Sequence, residues 1–217
     1  LYKLDPVRGF DLCLEAVKNY GQALEFVPDL YKLDPVRGFD LCLEAVKQCG
    51  KALKFVPDLY KTECKRSLEL CLCAIKSDGT ALEFVPDKFK FENYDFCFEA
   101  VKQNGKALEY TPNIFRDRRM CFQAVSEDVV HSTFETIFEY IPEACIDTEL
   151  CLQYLKNNPI EDIPDKHITR EMCLFATQTD ENEGDFLYYT PEKFIDLDLC
   201  LEALKQDGSI LNYIFEN

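Results

Sequence analysis

Twelve cysteines are the residues of this 217-residue chain most able to do chemistry, as metal ligands, disulfide partners or thiolate nucleophiles. Eight recur at one place in a repeated string: Cys13, Cys42, Cys71, Cys97, Cys121, Cys151, Cys173 and Cys200. Four stand outside it: Cys49, Cys64, Cys73 and Cys145. A structural zinc site needs four soft ligands in paired spacing, and the chain has no C-x-x-C. Cys64, Cys71 and Cys73 come closest, and Cys71 belongs to the repeat. The two histidines are as sparse. His131 lies beside Ser132 and Thr133 without the G-x-S-x-G elbow that would aim a serine, and His167 falls where other repeats carry Tyr or Phe. Paired carboxylates occur at Glu161 and Asp162 and in the stretch Asp180, Glu181, Glu183 and Asp185. The DENEGD loop of that stretch misses the ligand spacing of a calcium loop. No residue is therefore assigned as catalytic, cofactor-binding or metal-binding, and no cofactor is expected. A Cys-based metal or redox module remains one alternative, with Cys64 and Cys73 as its surface thiols.

The elements that position these cysteines are copies of one string. Leu30 to Asp58 reads LYKLDPVRGFDLCLEAVKQCGKALKFVPD, and Leu1 to Asp29 matches it at 25 of 29 positions, differing at Asn19, Tyr20, Gln22 and Glu25. Aligned on the cysteine, looser copies come at spacings of 22 to 30 residues. A proline falls 15 residues after the cysteine in the first four copies (Pro28, Pro57, Pro86, Pro112), then at Pro142, Pro164 and Pro191. A self-similar period of this size marks a repeat array.

Each copy reads as a capped helix. Four residues before the cysteine stand Gly9, Gly38, Ser67, Asn93, Asp117, Asp147, Thr169 and Asp196, all of N-cap type. Eight residues after it stand Gly21, Gly50, Gly79, Gly105 and Gly208, expected to take the left-handed C′ position. The interval holds about three helical turns. Phe39, Cys42, Leu43 and Val46 form the core stripe of the second copy, Leu41 and Ala45 widen it, and Asp40, Glu44 and Lys47 remain as a polar strip. ALKFVP then fits one tight turn, because Val56 precedes a proline. Pro57 opens a second short turn whose aromatic, Tyr60, corresponds to Tyr31, Phe89, Phe115, Cys145, His167 and Phe194. The distance from proline to the next cap position shrinks from 10 residues (twice) to 7 and then to 5. Six extra residues enter the fifth copy near Asp128 to Thr133, and three enter the seventh. The expected fold is all-α: an α-solenoid of about eight repeats, each a three-turn helix plus short helical turns, as one continuous array over residues 1–217.

On such a helix the repeat cysteine is a small buried apolar residue. Neighbouring helices lie ~8–10 Å apart, beyond the ~7 Å Cα separation a disulfide can bridge. A disulfide ladder is not expected, and a reducing compartment such as the cytoplasm fits the thiols better. Cys73 replaces the strip glutamate and is expected at the surface. Leu1 is not an initiator methionine, so the chain is expected to begin inside a longer protein. Net charge is −16: residues 1–119 hold 19 basic and 19 acidic side chains, whereas residues 120–217 hold 5 and 21. That acidic half repels phosphates, which argues against nucleic acid or an anionic membrane as partner. It reads first as a solvated surface, and a basic protein is the partner its charge would admit.

The motif L-C-L-E-A-V-K-Q-x-G-x-A-L-x-F-V-P resembles the bacterial and protist repeats grouped as domain-of-unknown-function family 4116. The likeness is closest through Pro112 and returns in DLCLEALKQDG near Gly208. The resemblance implies a helical repeat, often appended to larger proteins including bacterial effectors, and it brings no catalytic residues. The functional expectation is a monomeric, non-enzymatic scaffold that presents an extended surface to another protein. The alternative is an accessory region of a larger enzyme or secreted effector, which would place it in a host cytosol.

Overall fold

The computed structural model describes residues 6–63, 66–126, 137–179, 187, 189–206, 208 and 211. Among them there is no strand, and the chain is an all-α repeat array. The eight repeat helices are α1 (Pro6–Asn19), α3 (Gly38–Gln48), α4 (Ser67–Ser77), α6 (Tyr94–Gln103), α7 (Arg118–Ser126), α8 (Thr148–Tyr154), α9 (Arg170–Thr179) and α10 (Leu197–Gln206). Two shorter helices, α2 (Asp29–Lys32) and α5 (Asp87–Glu92), come directly after Pro28 and Pro86. The chain forms two compact units, Leu1–Arg116 and Asp117–Asn217, each carrying four repeats.

The core runs along the repeat helices. In α3, Leu41, Cys42, Leu43, Ala45 and Val46 are buried while Asp40 and Lys47 are exposed, so the wide apolar stripe and narrow polar strip are both present. After each of the first three repeat helices a 3₁₀ turn begins at the glycine: Gly21–Phe26, Gly50–Phe55 and Gly79–Phe84. The valine before each proline then turns extended, as Val56 does at φ −73°, ψ 133°.

The form of the turn after the proline depends on the loop length. Where 10 residues precede the next helix, the turn is α2 or the π-helical turn Leu59–Glu63, and where 7 do, it is α5. Where only 5 do, it is a three-residue 3₁₀ turn: Asn113–Phe115, Glu143–Cys145, Asp165–His167 and Glu192–Phe194. A shorter connection leaves room for one tight turn and no more. The aromatic of this turn packs edge-on to an aromatic in the N-terminal part of the same repeat's helix. Phe10–Tyr31, Phe39–Tyr60 and Tyr94–Phe115 meet at centroid distances of 6.1, 5.5 and 5.7 Å.

Helix starts match expectation in the last five repeats. The Asn93, Asp117, Asp147, Thr169 and Asp196 side chains accept from the backbone N–H three residues on, at 3.3, 2.8, 2.8, 3.4 and 2.8 Å. Gly9, Gly38 and Ser67 are not caps; they lie inside helices that begin at Pro6, Gly38 and Ser67. In the second repeat Asp34 takes over, its Oδ1 accepting from Val36 N and Arg37 N at 3.0 and 2.8 Å. Gly38 has a different task, because a Cβ there would clash with the Lys32 carbonyl oxygen and stand 2.7 Å from the Tyr60 hydroxyl. At Gly9 a Cβ would collide with the Tyr31 ring.

The repeat glycines also depart from expectation. None of Gly21, Gly50 and Gly79 adopts a positive φ, and the residue before each is extended, at φ −146°, −147° and −155°. They are needed for close approach. A Cβ on Gly21 would clash with the Ala45 carbonyl oxygen and lie 2.8 Å from Cys49 Cβ. On Gly50 it would clash with the Ala74 oxygen, and on Gly79 with that of Ala100. Each glycine is therefore the seat on which the next repeat's helix ends.

Candidate functional site

Burial decides what the repeat cysteines can do. Cys42, Cys71, Cys97, Cys121, Cys151 and Cys173 have no exposed surface, and Cys200 has little. Loss of water pushes the Cys42 and Cys71 thiols up to about 12, and those of Cys97 and Cys151 to about 11. Such thiols stay protonated and unreactive at neutral pH. Cys97 donates to the Lys90 carbonyl at 3.5 Å, which satisfies its proton within the core. Cys13 alone of the eight is half-buried.

The other thiols are more accessible. Cys49, Cys73 and Cys145 are half-buried, so Cys73 is less open than its strip position implies. Gln22 Nε2 donates to Cys49 Sγ at 3.7 Å. No described cysteine is joined in a disulfide. Among the described residues no three or more His, Cys, Asp or Glu side chains are placed to hold a metal ion. Cys64, His131 with Ser132 and Thr133, and the DENEGD loop lie outside the described residues.

His167 takes the aromatic slot of the sixth repeat, 16% exposed, with Nε2 3.1 Å from Glu143 Oε1 but without a well-aligned hydrogen bond. Lys166 reaches the same glutamate at 2.7 Å, and that contact holds the Glu143 carboxyl below its ordinary range. Glu161 and Asp162 are not a catalytic pair. Asp162 Oδ2 accepts the Tyr154 hydroxyl at 2.6 Å, and burial, reinforced by this bond, pushes the phenol well above its usual value. Asn158 Nδ2 donates to the Tyr154 carbonyl at 3.1 Å. Together they close the sixth helix where the glycine turn is missing. Tyr154 carries the signal, as a buried hydroxyl that requires a partner.

The surface of the repeats is periodic too. The residue after the proline is Asp29, Asp58, Asp87, Asn113, Glu143, Asp165 and Glu192 in order. The next position is apolar and exposed in three repeats of the first compact unit, at Leu30, Leu59 and Ile114, with Lys88 interrupting the row. Lys32, Lys61 and Lys90 reach back three residues to Asp29, Asp58 and Asp87 at 3.6, 2.9 and 3.2 Å, their stems almost covered. The D-x-x-K spacing of 29 residues was the sequence signal for this pairing.

Arginines tie repeats together along a second row. Arg66 bridges Asp40 of the preceding helix at 3.1 Å and Glu69 at 2.8 Å. Arg118 reaches the next repeat's cap, Asp147, at 3.0 Å, and Arg170 reaches Asp196 at 3.0 Å. Arg37 and Arg66 also lie over the Phe10 and Phe39 rings, Cζ 4.0 and 4.2 Å from the centroids. These links span 26 to 29 residues, and only the fold reveals which of several arginines makes them.

Helix on helix, glycine seat and inter-repeat arginine define the class: an α-helical tandem-repeat protein. The family model for "Domain of unknown function (DUF4116)" matches residues 10–61, 39–90, 67–116 and 93–145, and the chain belongs to that family. Each match takes in two successive repeats, and neighbouring matches overlap by about one. Comparisons with curated proteins and with solved structures gave no match. No helix among the described residues is long and apolar enough to cross a membrane.

Proposed function

We propose that the array is a non-enzymatic scaffold whose periodic surface row docks another protein. The observation that supports this is the recurrence, in the first, second and fourth repeats, of an exposed polar side chain followed by an exposed apolar one: Asp29–Leu30, Asp58–Leu59 and, with Asn for the acid, Asn113–Ile114. Exposed apolar residues set among acids fit a partner segment that alternates basic and apolar side chains. The residue types that would otherwise point to catalysis are used in packing: seven of the eight repeat cysteines are buried and Tyr154 is bound to Asp162.

The test is a peptide array probed with the full chain, beside a Leu30→Asp/Leu59→Asp/Ile114→Asp variant checked for folding by circular dichroism. Basic, apolar-interleaved peptides should bind the wild type and lose binding to the variant by at least about tenfold. Equal binding by the two proteins, or none by either, would sink the reading.

A further inference from the structure

An aromatic side chain stands two residues before the proline in each repeat of the first compact unit. Phe26, Phe55, Phe84 and Tyr110 hold this place, each five residues after the glycine. The 3₁₀ turns leading to them pack on one another in order: Gly21–Phe26 on Gly50–Phe55, that on Gly79–Phe84, and that on Gly105–Leu108. The next residues, Val56 and Val85, are buried, yet Phe55, Phe84 and Tyr110 keep part of their rings at the surface. A half-covered ring therefore recurs at each step as a shallow ledge.

The step is set by stacking. The helices α1, α3, α4 and α6 pack in succession, and packed helices lie about 8–10 Å apart. A ligand that meets every ledge must present one face at that interval. A β-strand does not, because its third residue, about 10 Å on, points to the opposite side. An α-helix presents i and i+7 about 10.5 Å apart, beyond the range. A polyproline II helix repeats its face every three residues, about 9.3 Å, which falls within it. Proline-rich segments of this form dock on aromatic-lined surfaces.

Charge selects what else the segment carries. Asp29, Asp58 and Asp87 stand three residues beyond the rings of the first three repeats. Their side chains are 83, 88 and 80% exposed, whereas the lysines paired with them are 12, 14 and 11% exposed. Each pair is a dipole with its negative end outward, and each lysine meets Oδ1, which leaves Oδ2 to accept from a partner's cation. Glu25 and Glu83 add exposed acids beside the rings, and Lys54 and Lys88 are the exposed exceptions.

We propose that this row binds a polyproline II segment of another protein that carries arginine or lysine at every third residue. Its prolines lie on Phe55, Phe84 and Tyr110, and its cations meet Asp29, Asp58 and Asp87. Such a partner is a special case of the basic, apolar-interleaved segment of the scaffold reading, on which it rests, with backbone form and period now specified.

Fluorescence anisotropy with labelled peptides about 12 residues long, three for each of four repeats, tests this on the full chain. Repeated Pro-Pro-Arg should bind at least about tenfold tighter than a peptide of the same composition with its arginines in one block. It should also bind tighter than repeated Gly-Gly-Arg, which keeps the charge but not the polyproline helix. Phe55→Ala/Phe84→Ala and, at exposed positions, Asp58→Asn/Asp87→Asn should each lose Pro-Pro-Arg binding by about tenfold or more with unchanged circular dichroism. If the ring variant misfolds, the carboxamide variant decides. Equal binding of the repeated and block peptides, undiminished binding by Asp58→Asn/Asp87→Asn, or tighter binding of a cello-oligosaccharide would each overturn the proposal. Failure of Pro-Pro-Arg beside capture of other basic, apolar-interleaved peptides would remove the polyproline partner and leave the scaffold reading standing. Failure of both would remove both.

Discussion

Cys42 shows how a residue type can be read for chemistry and turn out to be packing. Its sulfur has no exposed surface and burial holds its thiol protonated, so the polar substitute should fail where the apolar one fits. Cys42→Ser is expected to destabilise by ~1–3 kcal/mol, because a hydroxyl is placed in an apolar slot without a partner; Cys42→Ala should cost less than Cys42→Ser. Urea denaturation of the two variants compares them. The capping aspartates make a second prediction. Asp147 and Asp196 are held below their ordinary pKa of 3.8, first by the helix N–H groups of Leu150 and Leu199, and further by Arg118 and Arg170. A folded pKa below the unfolded one means the stabilisation is complete above the unfolded value and disappears as pH falls through the folded value. Stability should therefore drop between about pH 5 and pH 2. Asp147→Ala should cost ~1 kcal/mol at neutral pH and weaken that acid dependence.

At the scale of the element, the repeat helix and the two turns after it were legible in the primary structure because their causes are local. The Phe39–Cys42–Leu43–Val46 stripe, the valine before the proline and the short turn after it each depend on near neighbours. What was not legible was which local signal a long-range contact would override. Gly50 has the type of a left-handed C-cap, but its backbone is not left-handed; its small size is required by the Ala74 carbonyl one repeat away. Gly38 has the type of an N-cap and instead clears space for the Lys32 carbonyl and the Tyr60 hydroxyl. The two glycine explanations predict different mutants. Gly50→Ala should destabilise by ~1–3 kcal/mol through overpacking, and Gly208→Ala should leave folding stability within ~0.5 kcal/mol of wild type. Thermal melts of both would separate them: equal losses would restore the C-cap reading.

At the scale of the molecule, periodicity carries most of the information. Eight cysteines at near-regular spacing located eight helices, and the family match covers the more regular of them, residues 10–145. The candidate site was harder to read. The exposed row from Leu30 to Ile114 in one unit and the arginine links from Arg118 and Arg170 in the other each depend on helix stacking within their unit, and the arginine links join residues 26 to 29 apart. A single repeat, read alone, does not reveal which of its faces is covered. Leu12 and Leu41 make the point: one residue type, one local sequence, opposite exposure.

The central claim is that the repeat cysteines are the packed interior of a helical array and not a metal, redox or catalytic set. Alkylation of the native chain, resolved cysteine by cysteine by mass spectrometry, tests it most directly. Cys13, Cys49, Cys73 and Cys145 should label in native buffer, while Cys42, Cys71, Cys97, Cys121, Cys151 and Cys173 should label only as the chain unfolds in urea. Labelling of Cys42, Cys71 and Cys97 at the rate of Cys73 in native buffer would contradict the account.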